Sequence, residues 1–109
     1  MDFISYQKAA MRTKGGVDTP ESQLNLGALG ISGEAGEVTD YIKKVLFHGH
    51  ELDRVRLAKE LGDIMWYIAL LSDAIGIDME TVAAMNVEKL KKRYPEGFDK
   101  DKSINRIDA

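Results

Sequence analysis

The chain contains only two prolines, Pro20 and Pro95, and the long interval between them lacks the residue that most reliably breaks helices. Across that interval apolar residues recur at steps of three and four and do not alternate, which is the period of helices. This pattern predicts an all-α fold. Asp2 is placed to cap a first helix to about Met11, along which Phe3, Tyr6, Ala10 and Met11 recur on one side. Pro20 opens a second helix to about Phe47, since its missing N–H costs little in a first turn. Asp53 caps a third helix to about Ile75, which Gly76 closes, and Asp78 caps a fourth that ends at Tyr94 before Pro95.

On the second helix Leu24, Ala28, Ile31, Ala35, Val38, Ile42, Val45 and Leu46 fall on one stripe, interrupted by Gly27, Gly30, Gly33 and Gly36. Each glycine costs up to ~1 kcal/mol of helix propensity, so each needs a reason: close helix packing, or a ligand that must approach the backbone. The third helix is apolar on more than one side, with Leu57, Leu61, Ile64, Met65, Ile68, Leu71 and Ile75 on the main stripe and Trp66, Ala69 and Leu70 on another side. A domain of 109 residues can hardly surround such a helix alone, so a homo-oligomer with this helix in the interface is expected. The expected organisation is one four-helix bundle-like domain over residues 1–109, with a core over 20–98 and a flexible C-terminal tail over 99–109.

Cysteine is absent, which removes disulfides, thiolate catalysis and Cys-ligated zinc or iron–sulfur sites together. A formal charge of -3 and a pI near 5.3 lack the basic excess that binding a nucleic-acid polymer requires. No apolar run reaches the ~18 residues of a membrane span, and the N-terminus has no basic segment leading into one. A soluble, cytoplasmic protein is expected.

The informative motif is a repeated acid-x-Gly-acid: Glu34 and Glu37 on the second helix, Glu60 and Asp63 on the third. Residues three apart share a helix face, so each pair presents two carboxylates together, at the edge of its apolar stripe. One such pair is ordinarily a solvated face. Two matched pairs on neighbouring helices would repel across a partly desolvated wall and call for a cation between them. All-oxygen ligands suit hard ions such as Mg²⁺, with Mn²⁺ as a substitute. A ferritin-like di-iron bundle would carry histidine where Glu37 and Asp63 stand, so iron is disfavoured. Magnesium held by a few carboxylates keeps positions for phosphate oxygens, which points to a phosphate-bearing substrate.

Asn86, Lys89 and Arg93 recur at helical steps on the fourth helix, either as phosphate contacts or as a solvated last turn complementing the helix dipole. His48 and His50, beside Lys43 and Lys44, stand where they would cap the second helix or face phosphates. Gln7 on the first helix is suited to read a base edge or merely to bridge a turn.

With these residues in place, the chain resembles the MazG-like family of all-α nucleoside triphosphate pyrophosphohydrolases, through Glu34-x-x-Glu37, Glu60-x-x-Asp63, Asn86-x-x-Lys89 and Arg93, and through the runs GEAGEV, KELGDIMWY and RYPEGF. The resemblance covers about residues 20 to 98. It implies a homodimeric or homotetrameric enzyme that hydrolyses a nucleoside triphosphate, NTP or dNTP, to the monophosphate and pyrophosphate with Mg²⁺. By position it implies Glu34, Glu37, Glu60 and Asp63 as metal ligands or general base, and Asn86, Lys89 and Arg93 as triphosphate contacts; Gln7 and Lys44 complete the candidate substrate site. Gly33 stands where many relatives have a glutamate, which leaves open the number of metal ions and which carboxylate is the base. The alternative from another class is a non-catalytic helical oligomer that binds nucleotide or metal as a regulatory module.

Overall fold

In the computed structural model, which describes residues 1–106, the chain forms five helices in the order α1 (Phe3–Met11), α2 (Pro20–Phe47), α3 (Arg54–Ile75), α4 (Met79–Arg93) and α5 (Lys100–Ile104). The local signals act as their chemistry dictates. Asp2 accepts from the Ser5 N–H, Asp53 from Val55 and Arg56, and Asp78 from Thr81. These acceptors satisfy first-turn donors that have no partner inside the helix. Thr19 and Ser22 form a reciprocal capping box before α2, and Gly76 ends α3 at φ 71°. The five-residue α5, capped by Asp99, lies in the stretch expected to be a flexible tail. Residues 107–109 of that tail lie outside the described residues.

The frame of the molecule is an antiparallel hairpin of α2 and α3. Gln23 of α2 donates to Leu70 O (3.3 Å) and Asp73 (3.0 Å), Gly27 lies against Leu71, Gly30 against Tyr67, and Tyr41 under Arg56. The partners descend α3 as they ascend α2, which fixes the register of the pair. The contact face of α2 is therefore the line through Gln23, Gly27, Gly30, Glu34 and Tyr41. The apolar stripe read from the sequence adjoins this face and is covered only in part: Ile31, Val38, Ile42 and Val45 are half-buried, while Leu24 is 43% exposed and Leu46 68% exposed. A Cβ on Gly27 would sit 2.6 Å from Leu71, and one on Gly30 would run into the Tyr67 ring. These two glycines let the helices approach closely. Gly33 and Gly36 differ: an added Cβ there meets nothing within 4 Å.

Helix α1 is fastened across α3 mainly by polar clasps. Gln7 is buried; its amide donates to Ala69 O (3.2 Å) and its carbonyl accepts from Met79 N (2.8 Å), joining three helices. The Trp66 indole N–H donates to Ala10 O and to the Thr13 hydroxyl, and Lys14 pairs with Asp73 at 3.1 Å. Around these bonds the apolar core is small: Ala10, Ala69 and Met79, with Tyr6, Met11, Met65, Trp66 and Ile68 packed against them. Helix α4 packs on α1 and α3 and leaves most of its residues exposed. The surface is 7958 Å², where a compact monomer of 12.1 kDa exposes roughly 6,000 Å². The radius of gyration is 16.9 Å, against about 13 Å for a compact chain of this length. Much of the excess is apolar, including Leu29, Phe47, Leu61, Met85 and Leu90. Among the described residues no helix is long and apolar enough to cross a membrane.

The division among the glycines is open to direct test. Gly30→Ala should destabilise the fold by about 1–3 kcal/mol through overpacking against Tyr67. Gly33→Ala should be neutral or stabilise by up to ~1 kcal/mol through helix propensity alone. Denaturant midpoints at unchanged slope report both; a Gly30→Ala protein as stable as the parent would contradict the close approach.

Candidate active site

The hairpin register sets Glu34 and Glu37 of α2 opposite Asp63 and Glu60 of α3. One oxygen each from Glu34, Glu37 and Glu60 lies within 4.8 Å of the others. Glu34 and Glu60 are partly buried, and the Oε2 atom of each is shielded from solvent with no hydrogen-bond partner. Asp63 stands just outside this group, exposed, yet close enough for its charge to act on Glu34. Among the described residues, no lysine or arginine forms an ion pair with Glu34, Glu37 or Glu60; the lysines pair with Asp73, Asp40 and Glu88.

Such an arrangement is costly in a metal-free chain. Burial first, then the charge of Glu37, with further contributions from Asp63, a hydrogen bond with Glu37 and the charge of Glu60, hold the Glu34 carboxyl above its usual range. Two shielded, unpartnered carboxylate oxygens with a third carboxylate within reach are the donor set of a hard divalent cation, so Glu34, Glu37 and Glu60 fit such an ion, with Asp63 beside them. A cavity of about 320 Å³ opens next to them, lined by Gly33, Gly36, Glu37, Asp40, Tyr41, Arg56 and Glu60. Of the four glycines within α2, the two with free space above them are thus the ones at the cavity, and the two in tight contact hold the helices together.

The other candidates from sequence fall in different places. Lys44 pairs with Asp40 at 3.0 Å and so stands beside the cavity; Lys43 and Lys44 together hold the Asp40 carboxyl down to about 2. Gln7 is corrected: both ends of its amide are engaged inside the fold, leaving it a fastening between helices rather than a reader of bases. Asn86 and Lys89 are exposed and line a groove with Ile75, Ile77, Val82 and Met85, at the far end of α3. Ile75 is about 18 Å along the helix from Asp63, and neither Asn86 nor Lys89 lines the cavity beside the acid cluster. Arg93 lines a small hollow with Lys92, Lys102 and Asn105 near α5. His48 and His50 are exposed after α2, where their backbone N–H groups, not their rings, bond Lys44 O.

Sequence reasoning singled out neither Arg56 nor Tyr41, both of which line the cavity. The signal was present: Arg56 is one turn before Glu60 and Tyr41 one turn beyond Glu37, on the same helix faces. In the sequence Tyr6 reads only as an apolar position of α1. Its phenol is shifted upward by burial and by the charge of Asp63, so it too borders the acid group.

An all-helical chain whose two longest helices share a carboxylate cluster beside an open cavity falls in the class of helical proteins with a candidate divalent-cation site. The comparisons give that class a family. The MazG nucleotide pyrophosphohydrolase domain matches residues 22–98, and the chain belongs to this family. A relative in Mycobacterium phage L5, described as the Gene 37 protein, is 34% identical over 110 residues, covering 93% of this chain and 96% of the phage protein. No solved structure matches.

The raised Glu34 carboxyl has a thermodynamic sign. Protonated Glu34 favours the metal-free fold, a contribution fully present below the ordinary carboxylate range and lost as pH rises through the raised native value. Metal-free protein should therefore lose stability as pH rises out of that range, and Glu34→Gln should flatten this loss. A divalent ion at a hundred times its Kd should add about 2.7 kcal/mol to the parent and much less to Glu34→Gln. Melting temperatures of the parent unchanged by Mg²⁺ and Mn²⁺ would contradict the site.

Proposed function

We propose that this chain is a Mg²⁺-dependent nucleoside triphosphate pyrophosphohydrolase, which converts an NTP or dNTP to the monophosphate and pyrophosphate. The observation that carries the reading is the meeting of Glu34, Glu37 and Glu60 around shielded, unpartnered oxygens at the wall of a cavity. Magnesium held by these residues would neutralise polyphosphate charge and orient its oxygens for in-line displacement. The chain's own groups do the rest. Asp63 is near the group but outside it, and is the carboxylate left to take the proton of an attacking water. The water oxygen bonds to phosphorus, the bridging P–O bond breaks, and pyrophosphate leaves. Gly33 and Gly36 keep the cavity floor clear for this geometry.

The reading includes a homo-oligomer, with a homodimer or homotetramer as the expected sizes. The excess surface of roughly 2,000 Å² is of the scale that obligate interfaces bury, and it carries exposed leucines and methionine that water does not favour. Asn86 and Lys89 line a groove separate from the cavity beside the acids, and in this reading they serve as phosphate contacts across such an interface, against the acids of a second copy. Val82 and Met85 in the same groove give that contact its apolar surface.

Incubating the protein with each NTP and dNTP plus Mg²⁺ should release pyrophosphate and not orthophosphate. Glu37→Gln and Glu60→Gln should each lower kcat/KM by at least about 100-fold. Binding of nucleotide without any product across the panel would favour a regulatory module instead. The shared site has its own test: in a homodimer, Glu60→Gln and Lys89→Ala subunits, each inactive alone, should recover about a quarter of parental activity when co-expressed, from mixed dimers bearing one intact site. No recovery would place Lys89 outside the site.

A further inference from the structure

We propose that the groove between α1 and the α3–α4 corner, floored by the Ser72 hydroxyl and flanked by Asp73 and Asp78, is a second binding site, and that it takes a small organic cation: an ammonium or guanidinium on a short apolar body. The site stands apart from the acid cavity and does not depend on the nucleotide reading. At ~100° and ~1.5 Å per residue, Ser72 lies roughly 14 Å along α3 from Asp63 and half a turn round, on the opposite face.

The groove holds about 450 Å³, within the ordinary range for a small-molecule site. Ser72 lines it and is only 4% exposed, yet among the described residues its hydroxyl has no hydrogen-bond partner. The contacts of Ser72 are backbone ones, including the carbonyl that accepts from the Gly76 and Ile77 N–H groups. A hydroxyl on a helix ordinarily turns back to its own backbone, as Thr39 does to Ala35 O at 3.0 Å, or out to water. Leaving one buried and unbonded costs stability. At the floor of a cavity, such a group is free to donate to or accept from whatever enters.

The charges around the groove select the sign of the occupant. Lys14 and Gln23 both donate to Asp73 Oδ2, at 3.1 and 3.0 Å, and leave the other oxygen without a partner among the described residues. Asp78 commits Oδ1 to the Thr81 N–H (2.8 Å) at the start of α4, and its second oxygen is likewise open. The hydrogen bond from Lys14, then that from Gln23, holds the Asp73 carboxyl below the usual carboxylate range, and the Thr81 N–H does the same for Asp78, so both are charged at neutral pH. Helix α3 ends between them, and the negative end of its dipole adds to the same field. The opposite pole, at the start of α4, is already engaged by Asp78 and by Gln7, which accepts from Met79 N. Lys14 offsets one of the two carboxylates, and Lys8 stands at the exposed rim on a stem that reaches water. Ile4 and Met11 supply the apolar wall for a short hydrocarbon body.

Isotope-labelled protein is titrated with n-butylammonium and n-butylguanidinium, and with n-butanol and butyrate as neutral and anionic controls, at constant ionic strength, while the backbone amides are followed by NMR. Saturable shifts should centre on Ser72, Asp73, Gly76 and Asp78 with the two cations and be absent with the controls. Asp78→Asn keeps the helix cap, since asparagine caps as well as aspartate, and removes only the charge. It should weaken both cations by about tenfold or more, as for a lost bond to a charged group. Ser72→Ala removes a buried hydroxyl that bonds nothing, so its melting temperature should equal or exceed the parent's, while cation affinity falls about two- to tenfold. Saturating Mg²⁺ should change that affinity by less than about twofold, as for independent sites. The assignment is overturned by the absence of a saturable shift with either cation, by equal shifts with n-butanol, or by shifts centred on Glu34 and Glu60. Parental affinity in either variant, or a lowered melting temperature in Ser72→Ala, overturns it as well. None of these results bears on nucleotide turnover.

Discussion

Two glycines pressed against two large side chains govern the rest of the structure. Gly27 under Leu71 and Gly30 under Tyr67 bring α2 and α3 close and allow one register between them. From that register it follows that Glu34, Glu37, Glu60 and Asp63 occupy one stretch of the hairpin. Like charges do not seek each other, so the fold and not local attraction assembles the cluster, and the raised Glu34 carboxyl is the mark of that opposition. The same close packing that stabilises the hairpin stores an unfavourable site which a cation relieves.

The remaining elements support this hairpin in an uneven way. Helix α1 is attached through Gln7, the Trp66 indole and the Lys14–Asp73 pair, while the apolar core beneath it is slight. Helix α4 leaves the body with Val82, Met85 and Leu90 uncovered. A chain so built holds its carboxylate cluster on the α2–α3 pair and much of its exposed apolar surface elsewhere.

Much of this was legible in the sequence because the signals are local. Asp2, Asp53 and Asp78 cap the helices they precede, Pro20 opens α2, Gly76 closes α3 and Pro95 follows the end of α4. The acid pairs were legible for the same reason, since a spacing of three is a property of one helix. What depends on a neighbour was not. The face of α2 that packs is the glycine line and not the leucine line, because close backbone approach outweighs side-chain hydrophobicity where Tyr67 fills the space. Gln7 has the chemistry of a base reader, and only its burial against Ala69 O and Met79 N reveals a different use. Asn86 and Lys89 share a helix face as expected, but the direction in which α4 leaves the bundle is set by a three-residue connection that carries no pattern. Arg56 sits among arginines and lysines of similar appearance until Tyr41 is known to lie beneath it.

The central claim is that the carboxylates of α2 and α3 converge on one divalent ion. Anomalous scattering from crystals grown with Mn²⁺ measures this most directly. A peak should lie between Glu34, Glu37 and Glu60, with carboxylate oxygens at about 2.0–2.3 Å, close to the distances of the octahedral oxygen-ligated ions. Density on another part of the surface, or three carboxylates bonded only to water at saturating Mn²⁺, would contradict it.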